Sequence, residues 1–240
     1  MTAGNGTTYR ATVAPSNGFN GTVSLTVGGV PSGASCSAPA ISGGSGSSTV
    51  SCTTVSTTPA ATYTLTITGT SGSLNHSKTV SLVVNPAIVC TTATANGVWN
   101  NTAFPSHSGT FTATFDATPS ISGQSSAVGI SNGAQTAFTG FANIVAFATT
   151  GIIQARNGGS YFNSSISYSG GSSYHFRLAI NVTAHTYSVF VTPAGGTEQT
   201  VGTNFAFRTE QNTVTSLDHW GAFVNSTSSG TLKVCNFTAQ

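Results

Sequence analysis

Charge is nearly missing from this chain. Asp, Glu, Lys and Arg make up 4% of its 240 residues, against roughly 25% in an ordinary soluble domain. Six Lys or Arg against four Asp or Glu leave a formal net charge of +2. So few cations cannot neutralise a run of phosphates, which argues against nucleic acid as a partner. No stretch approaches the ~20 apolar residues of a membrane span. The opening Met1-Thr2-Ala3-Gly4-Asn5-Gly6 has neither the basic nor the apolar part of a signal peptide, so any export signal is expected upstream of Met1. Cys36, Cys52, Cys90 and Cys235 form no C-x-x-C pair, which removes the usual zinc and redox motifs. Helical periodicity is almost absent as well.

What remains is period-two alternation. Hydrophobic residues reach 38%, so the low charge does not mean disorder. The polar surface must come from Ser, Thr, Asn and Gly, which favour strands and turns. Tyr9, Ala11 and Val13 share one face of a strand, as do Val23, Leu25 and Val27, then Tyr63, Leu65 and Ile67, then Val80, Leu82 and Val84. Turns at Asn17-Gly18, Asn20-Gly21, Pro31-Ser32-Gly33 and Gly43-Gly44 separate them. Residues 1–85 therefore read as a small β-sandwich. Asn85-Pro86 opens a linker at 86–89, because Pro86 cannot donate to a ladder.

Residues 90–240 read as a second, larger all-β unit. Phe111, Ala113 and Phe115 alternate; 143–150 and 151–156 form a hairpin; Tyr174, Phe176, Leu178 and Ile180 face inward together. Trp220, Ala222 and Val224, then Leu232 and Val234, close the unit. An even cysteine count in a Ser/Thr-rich chain reads as two disulfides and an oxidising compartment. Cys36 and Cys52 flank the Gly/Ser turn at 43–47 and are expected to pair. A Cys90–Cys235 bridge would join the first and last strands of the larger unit, a closure worth about 5 kcal/mol on a chain-entropy model.

Two resemblances follow. Gly18-Phe19-Asn20-Gly21-Thr22-Val23-Ser24-Leu25, Gly29-Val30-Pro31-Ser32-Gly33-Ala34 and the run from Thr58-Pro59 to Thr68-Gly69 resemble bacterial immunoglobulin-like repeats of large extracellular proteins. That resemblance implies a spacer role and one more strand before Thr2. Tyr174-His175-Phe176-Arg177-Leu178-Ala179-Ile180-Asn181 with His185 to Val191 looks like the concanavalin-like (laminin-G-like) jelly roll of glycan-binding and glycan-cleaving proteins. The fold expected is all-β: an immunoglobulin-like sandwich followed by a larger concanavalin-like jelly roll.

Chemistry is sparse. The four carboxylates, Asp116, Glu198, Glu210 and Asp218, include no pair spaced for glycoside hydrolysis. Asp116 reads as a turn former, and Glu198 as solvated beside a Gly-Gly turn. Gly129-Ile130-Ser131-Asn132-Gly133 fits a nucleophile elbow in letters only, since no helix follows and Asn132-Gly133 signals a hairpin. The histidines show no metal-ligand spacing, and no Asp-rich loop points to calcium, although loop carbonyls leave that ion open; no cofactor is expected. Sugar binding needs less: an aromatic face and a few polar groups. Tyr161 and Phe162, next to the Asn157-Gly158-Gly159 turn with Arg156 and Asn157 beside it, are the candidates, together with Trp99. The lyase alternative rests on His175, Arg177 and Arg208 converging around an acidic glycan. Otherwise His175 and Arg177 are outer-face groups bonded to neighbours such as Glu210.

Three functions thus stand. The leading one is a secreted, non-catalytic module that binds a polysaccharide or cell-surface glycan, or serves adhesion. The second is a polysaccharide lyase. The third is a fibre subunit that self-associates through strand edges.

Overall fold

A computed structural model describes residues 1–240. The chain divides into two compact units, Met1–Ile88 and Val89–Gln240. It contains no helix long and apolar enough to cross a membrane.

The first unit has six strands: β1 (Gly6–Val13), β2 (Ser24–Gly28), β3 (Ala34–Ser37), β4 (Gly46–Thr54), β5 (Ala61–Ser71) and β6 (Leu74–Val84). They form two three-stranded sheets, ordered β1-β4-β3 and β2-β5-β6. Alternation decides which side of each strand is covered. On β4, Val50 and Cys52 are buried while Ser51 and Thr53 are exposed. These two meet Leu65 of β5 and Leu82 and Val84 of β6 in one apolar cluster. Cys36 of β3 stands opposite Cys52 of β4 in register, and the two are disulfide-bonded. The β5–β6 hairpin runs further than the alternation of apolar residues implies: its largely polar outer half, from Thr68↔Ser77 to Ser71↔Leu74, stays in the same uninterrupted register as the rest.

The second unit is a two-sheet antiparallel sandwich of jelly-roll type. Its strands are β7 (Cys90–Thr94), β8 (Asn100–His107), β9 (Thr110–Pro119), β10 (Ser126–Ser131), β11 (Phe141–Phe147), β12 (Ile152–Asn157), β13 (Ser160–Ser167), β14 (Tyr174–Asn181), β15 (Thr186–Pro193), β16 (Gln199–Ala206), β17 (Leu217–Val224) and β18 (Thr231–Ala239). One six-stranded sheet, here the front, has the order β13-β12-β11-β10-β17-β8; the back sheet has the order β16-β15-β14-β9-β18-β7. Tyr174, Phe176, Leu178 and Ile180 of β14 pack inward with Phe115 of β9 and with Val128, Ile130, Trp220 and Ala222 of the front sheet. The Cys90–Cys235 disulfide ties β7 to β18, where the two residues are register partners.

Two local expectations are corrected. Asp116 lies inside β9, where its carboxylate accepts from Asn236 Nδ2 and pairs with His175 Nδ1, both at 2.8 Å; strand pairing with β14 overrides its turn preference. Glu198 is paired, not merely solvated: Arg177 holds it through Nε and Nη2 at 2.9 and 2.7 Å.

Candidate functional site

The outward face of the front sheet carries a layer that a bare sandwich would lack. Gly129 of β10 and Gly221 of β17 are register partners. The Phe141 ring lies over them; a Cβ on Gly129 would sit 2.6 Å from Phe141 Cδ1. Trp99 tilts onto Phe141 with ring centroids 3.9 Å apart, and Phe138 packs edge-on against Trp99 and Phe223 at 5.0 and 4.8 Å. Trp99 is consequently only 5% exposed. It holds the aromatic layer together and offers no free face to a sugar, which corrects its candidacy as a stacking platform.

Beside this layer is a cavity of about 390 Å³. Its walls come from β10 (Ser126, Ala127), β11 (Ala146), β12 (Gln154, Arg156) and β13 (Tyr161), with Phe138, Phe223 and Arg208. Gln154 and Arg156 share an outward face because they are two apart on one strand. Tyr161 joins them because it is the register partner of Arg156 across the β12–β13 hairpin. The Arg156 guanidinium lies 5.1 Å from the Tyr161 ring centroid, and it donates through Nε to the Gly158 carbonyl and through Nη2 to the Gly159 carbonyl, at 2.9 and 2.6 Å. These bonds leave Nη1 uncommitted. Beneath the hairpin, the buried Tyr187 hydroxyl donates to the Arg156 carbonyl, fixing the height of β12.

Arg208 follows β16, an edge strand of the back sheet. Its backbone N–H donates to the Ala142 carbonyl at 2.7 Å, which brings the segment after β16 onto the front sheet. Its side chain is 12% exposed, and Nη2 donates to Glu210 Oε1 at 3.3 Å. Its Nε, 3.0 Å from Glu210 Oε2, is not aligned to bond it. Burial pushes the Tyr161 phenol above its ordinary pKa, while Arg156 and Arg208 both pull it down. The net upward direction keeps the phenol protonated, a hydrogen-bond donor at neutral pH. Glu210 is held below the usual carboxylate range, first by its own backbone N–H and then by Arg208 and Arg156.

The remaining candidates fall elsewhere. Phe162 points away from the cavity, since its neighbour Tyr161 faces in; it is 44% exposed and packs on Phe205 at 5.2 Å. Asn157 positions the hairpin, its Oδ1 accepting from Ala206 N–H at 3.0 Å. The lyase set does not assemble. His175 and Arg177 lie outward on β14 of the back sheet, bonded to Asp116 and Glu198; Arg208 belongs to the front-sheet cavity. Glu210, expected near His175 and Arg177, pairs with Arg208 instead. Gln154, Phe138 and Phe223 are cavity residues that the sequence reading missed. Only Gln154 carried a local signal, its two-residue spacing from Arg156. No group of three or more His, Cys, Asp or Glu gathers to hold a metal.

No family model and no curated protein matches the sequence. Among solved structures, the chain is similar to lectin I-B4 from Griffonia simplicifolia, with TM-score 0.42 and 12% identity over 64% of this chain and 93% of that one. It is also similar to arcelin-5, a lectin-like defence protein from Phaseolus vulgaris, with TM-score 0.39 and 11% identity over 98% and 99% of the two chains. A third neighbour is lectin I from Ulex europaeus in complex with the methyl glycoside of α-L-fucose, with TM-score 0.37 and 12% identity over 98% of each chain.

Proposed function

We propose that this chain is an extracellular glycan-binding module whose second unit takes an anionic sugar residue at the cavity beside β12 and β13. The observation that carries this reading is the convergence of Arg156, Arg208, the Tyr161 phenol and the Gln154 amide on one cavity. Its volume falls within the roughly 300–1,000 Å³ of ordinary ligand sites. Apolar walls from Phe138 and Phe223 suit the C–H faces of a pyranose. The phenol and amide suit its hydroxyls, and the uncommitted Nη1 of Arg156, beside the Arg208 guanidinium, suits a carboxylate through a charge-assisted hydrogen bond. Both disulfides are compatible with an oxidising location. In this reading the first unit is an immunoglobulin-like spacer in a larger secreted bacterial protein.

Titration calorimetry with a uronate tetrasaccharide and its carboxyl-reduced neutral counterpart tests the proposal. The uronate is expected to bind, about tenfold more weakly after Arg208→Gln or Arg156→Gln, the size of one lost charge-assisted contact. Arg177→Gln on the back sheet leaves the affinity unchanged. Equal binding of the neutral sugar, or an equal loss with Arg177→Gln, overturns it.

A further inference from the structure

Charge does not balance around the cavity beside β12 and β13. Two guanidiniums, those of Arg156 and Arg208, line it, and one carboxylate, that of Glu210, stands beside them. The other three carboxylate side chains of the unit are bonded elsewhere: Asp116 to His175, Glu198 to Arg177 and Asp218 to His219. Glu210 is held below the usual carboxylate range, so it is ionised at neutral pH. Two positive charges against one negative leave a surplus that a single further anionic group cancels.

The two partners of this ion pair are held very differently. Arg208 is fixed through its backbone on both sides: its N–H donates to the Ala142 carbonyl, and its own carbonyl accepts from Gln211 N–H, both at 2.7 Å. Gln211 closes the single turn Thr209–Gln211 and fastens it to the segment before β11, donating from Nε2 to the Thr139 carbonyl at 2.8 Å. The Glu210 carboxylate bonds no side chain except Arg208, at 3.3 Å, beyond the roughly 2.7–3.2 Å of a good N–H···O bond. Its side chain is 45% exposed, against 12% for Arg208. The guanidinium is thus a fixed wall and the carboxylate a charge on the rim. Only Nη2 of Arg208 is bonded to Glu210, so the guanidinium retains donors for a second anion.

We propose that Glu210 is the specificity-determining residue of this cavity, limiting it to a sugar residue with one negative charge and excluding one with two, such as an O-sulfated uronate. The inference rests on the anionic-sugar reading of the site and adds a limit on charge. A bound anion and Glu210 would share the Arg208 guanidinium. One negative charge on the ligand cancels the surplus. A second leaves the site net negative and faces Glu210 across the shared guanidinium, where like charges oppose binding. Glu210 needs no contact with the ligand for this, because discrimination comes from the repulsion it exerts on the wrong one.

The test is titration calorimetry on the full chain, comparing the uronate tetrasaccharide with its counterpart carrying one O-sulfate on each uronate. The unmodified chain is expected to favour the unsulfated ligand. Glu210→Gln keeps the size of an exposed side chain and removes its charge. It is expected to raise both affinities, that for the sulfated ligand by about tenfold more. Glu198→Gln, the same change on the back sheet, leaves both affinities as they were. A preference unchanged by Glu210→Gln, an equal shift with Glu198→Gln, or an unmodified chain that already favours the sulfated ligand overturns the role of Glu210. If the uronate still binds in those cases and is lost with Arg208→Gln, the site itself stands. Absence of uronate binding to both the unmodified chain and Glu210→Gln overturns the site and the inference together, so the two failures have different signatures.

Discussion

Thirty-one buried side chains join in the main core of the second unit, but only six in that of the first. Both units use the same strand chemistry, Thr and Ser outward against Val, Leu and Ile inward. The difference lies in how completely the sheets cover each other. Twelve strands in two six-stranded sheets leave long inner faces that meet along their length. Six strands in two three-stranded sheets leave half of the inward stripe of β6 exposed. A small sandwich depends more on its covalent staple, whereas a large one can spend residues on a feature such as the outer aromatic layer around Trp99.

Removing the staple sharpens that comparison most. Cys36→Ser with Cys52→Ser forfeits about 3 kcal/mol of loop-closure stabilisation, a large share of what so small a core supplies. The first unit is expected to unfold in mild urea while the second stays folded. Trp99 and Trp220 both belong to the second unit, so tryptophan fluorescence should not change as far-ultraviolet dichroism falls. Loss of both signals together would break the contrast.

A smaller effect comes from crowding the outer layer. Gly129→Ala places a methyl group 2.6 Å from Phe141 Cδ1, and the ring can move only by lifting Trp99. A cost of about 1–3 kcal/mol is expected, confined to the second unit and visible as a changed tryptophan near-ultraviolet signal. An unaltered Trp99 environment would mean that the layer is not held by that glycine pair.

The smallest effect is on pH dependence. Every carboxylate side chain lies in the second unit. Asp218 is held below the usual carboxylate range, first by His219 and also by the Gly133 N–H. A depressed folded-state pKa gives stability that is complete above the unfolded value of about 3.9 and is lost as pH falls through the folded value. Acid below about pH 4 should therefore weaken the second unit and leave the first unaffected. Asp218→Asn should flatten part of that loss in thermal melts; an unchanged profile would remove Asp218 from the account.

The sequence showed the strands plainly, because alternation such as Tyr174-His175-Phe176-Arg177-Leu178 has one reading when one face is buried. It showed the Cys36–Cys52 pair through the short turn between them. Half of the candidate site was also local, since Arg156 and Tyr161 flank one Gly-Gly turn. Arg208 was not: it reaches the cavity through a backbone bond to Ala142, and no spacing rule encodes that. The grouping of His175, Arg177 and Arg208 failed for a related reason. Alternation tells which side of a strand is outward, but a two-sheet sandwich has two outsides. Trp99 misled because it sits beside a loop, while its cover, Phe138, comes from a segment about forty residues later.

The most direct test of the central claim is incubation of the purified chain with a uronate-rich polysaccharide and a neutral one, following retention and the ultraviolet absorbance of an unsaturated product together. Retention on the uronate polymer alone, lost with Arg208→Gln and without any absorbance rise, is the predicted result. A rise in absorbance, reporting β-elimination, or equal retention on both polymers would contradict it.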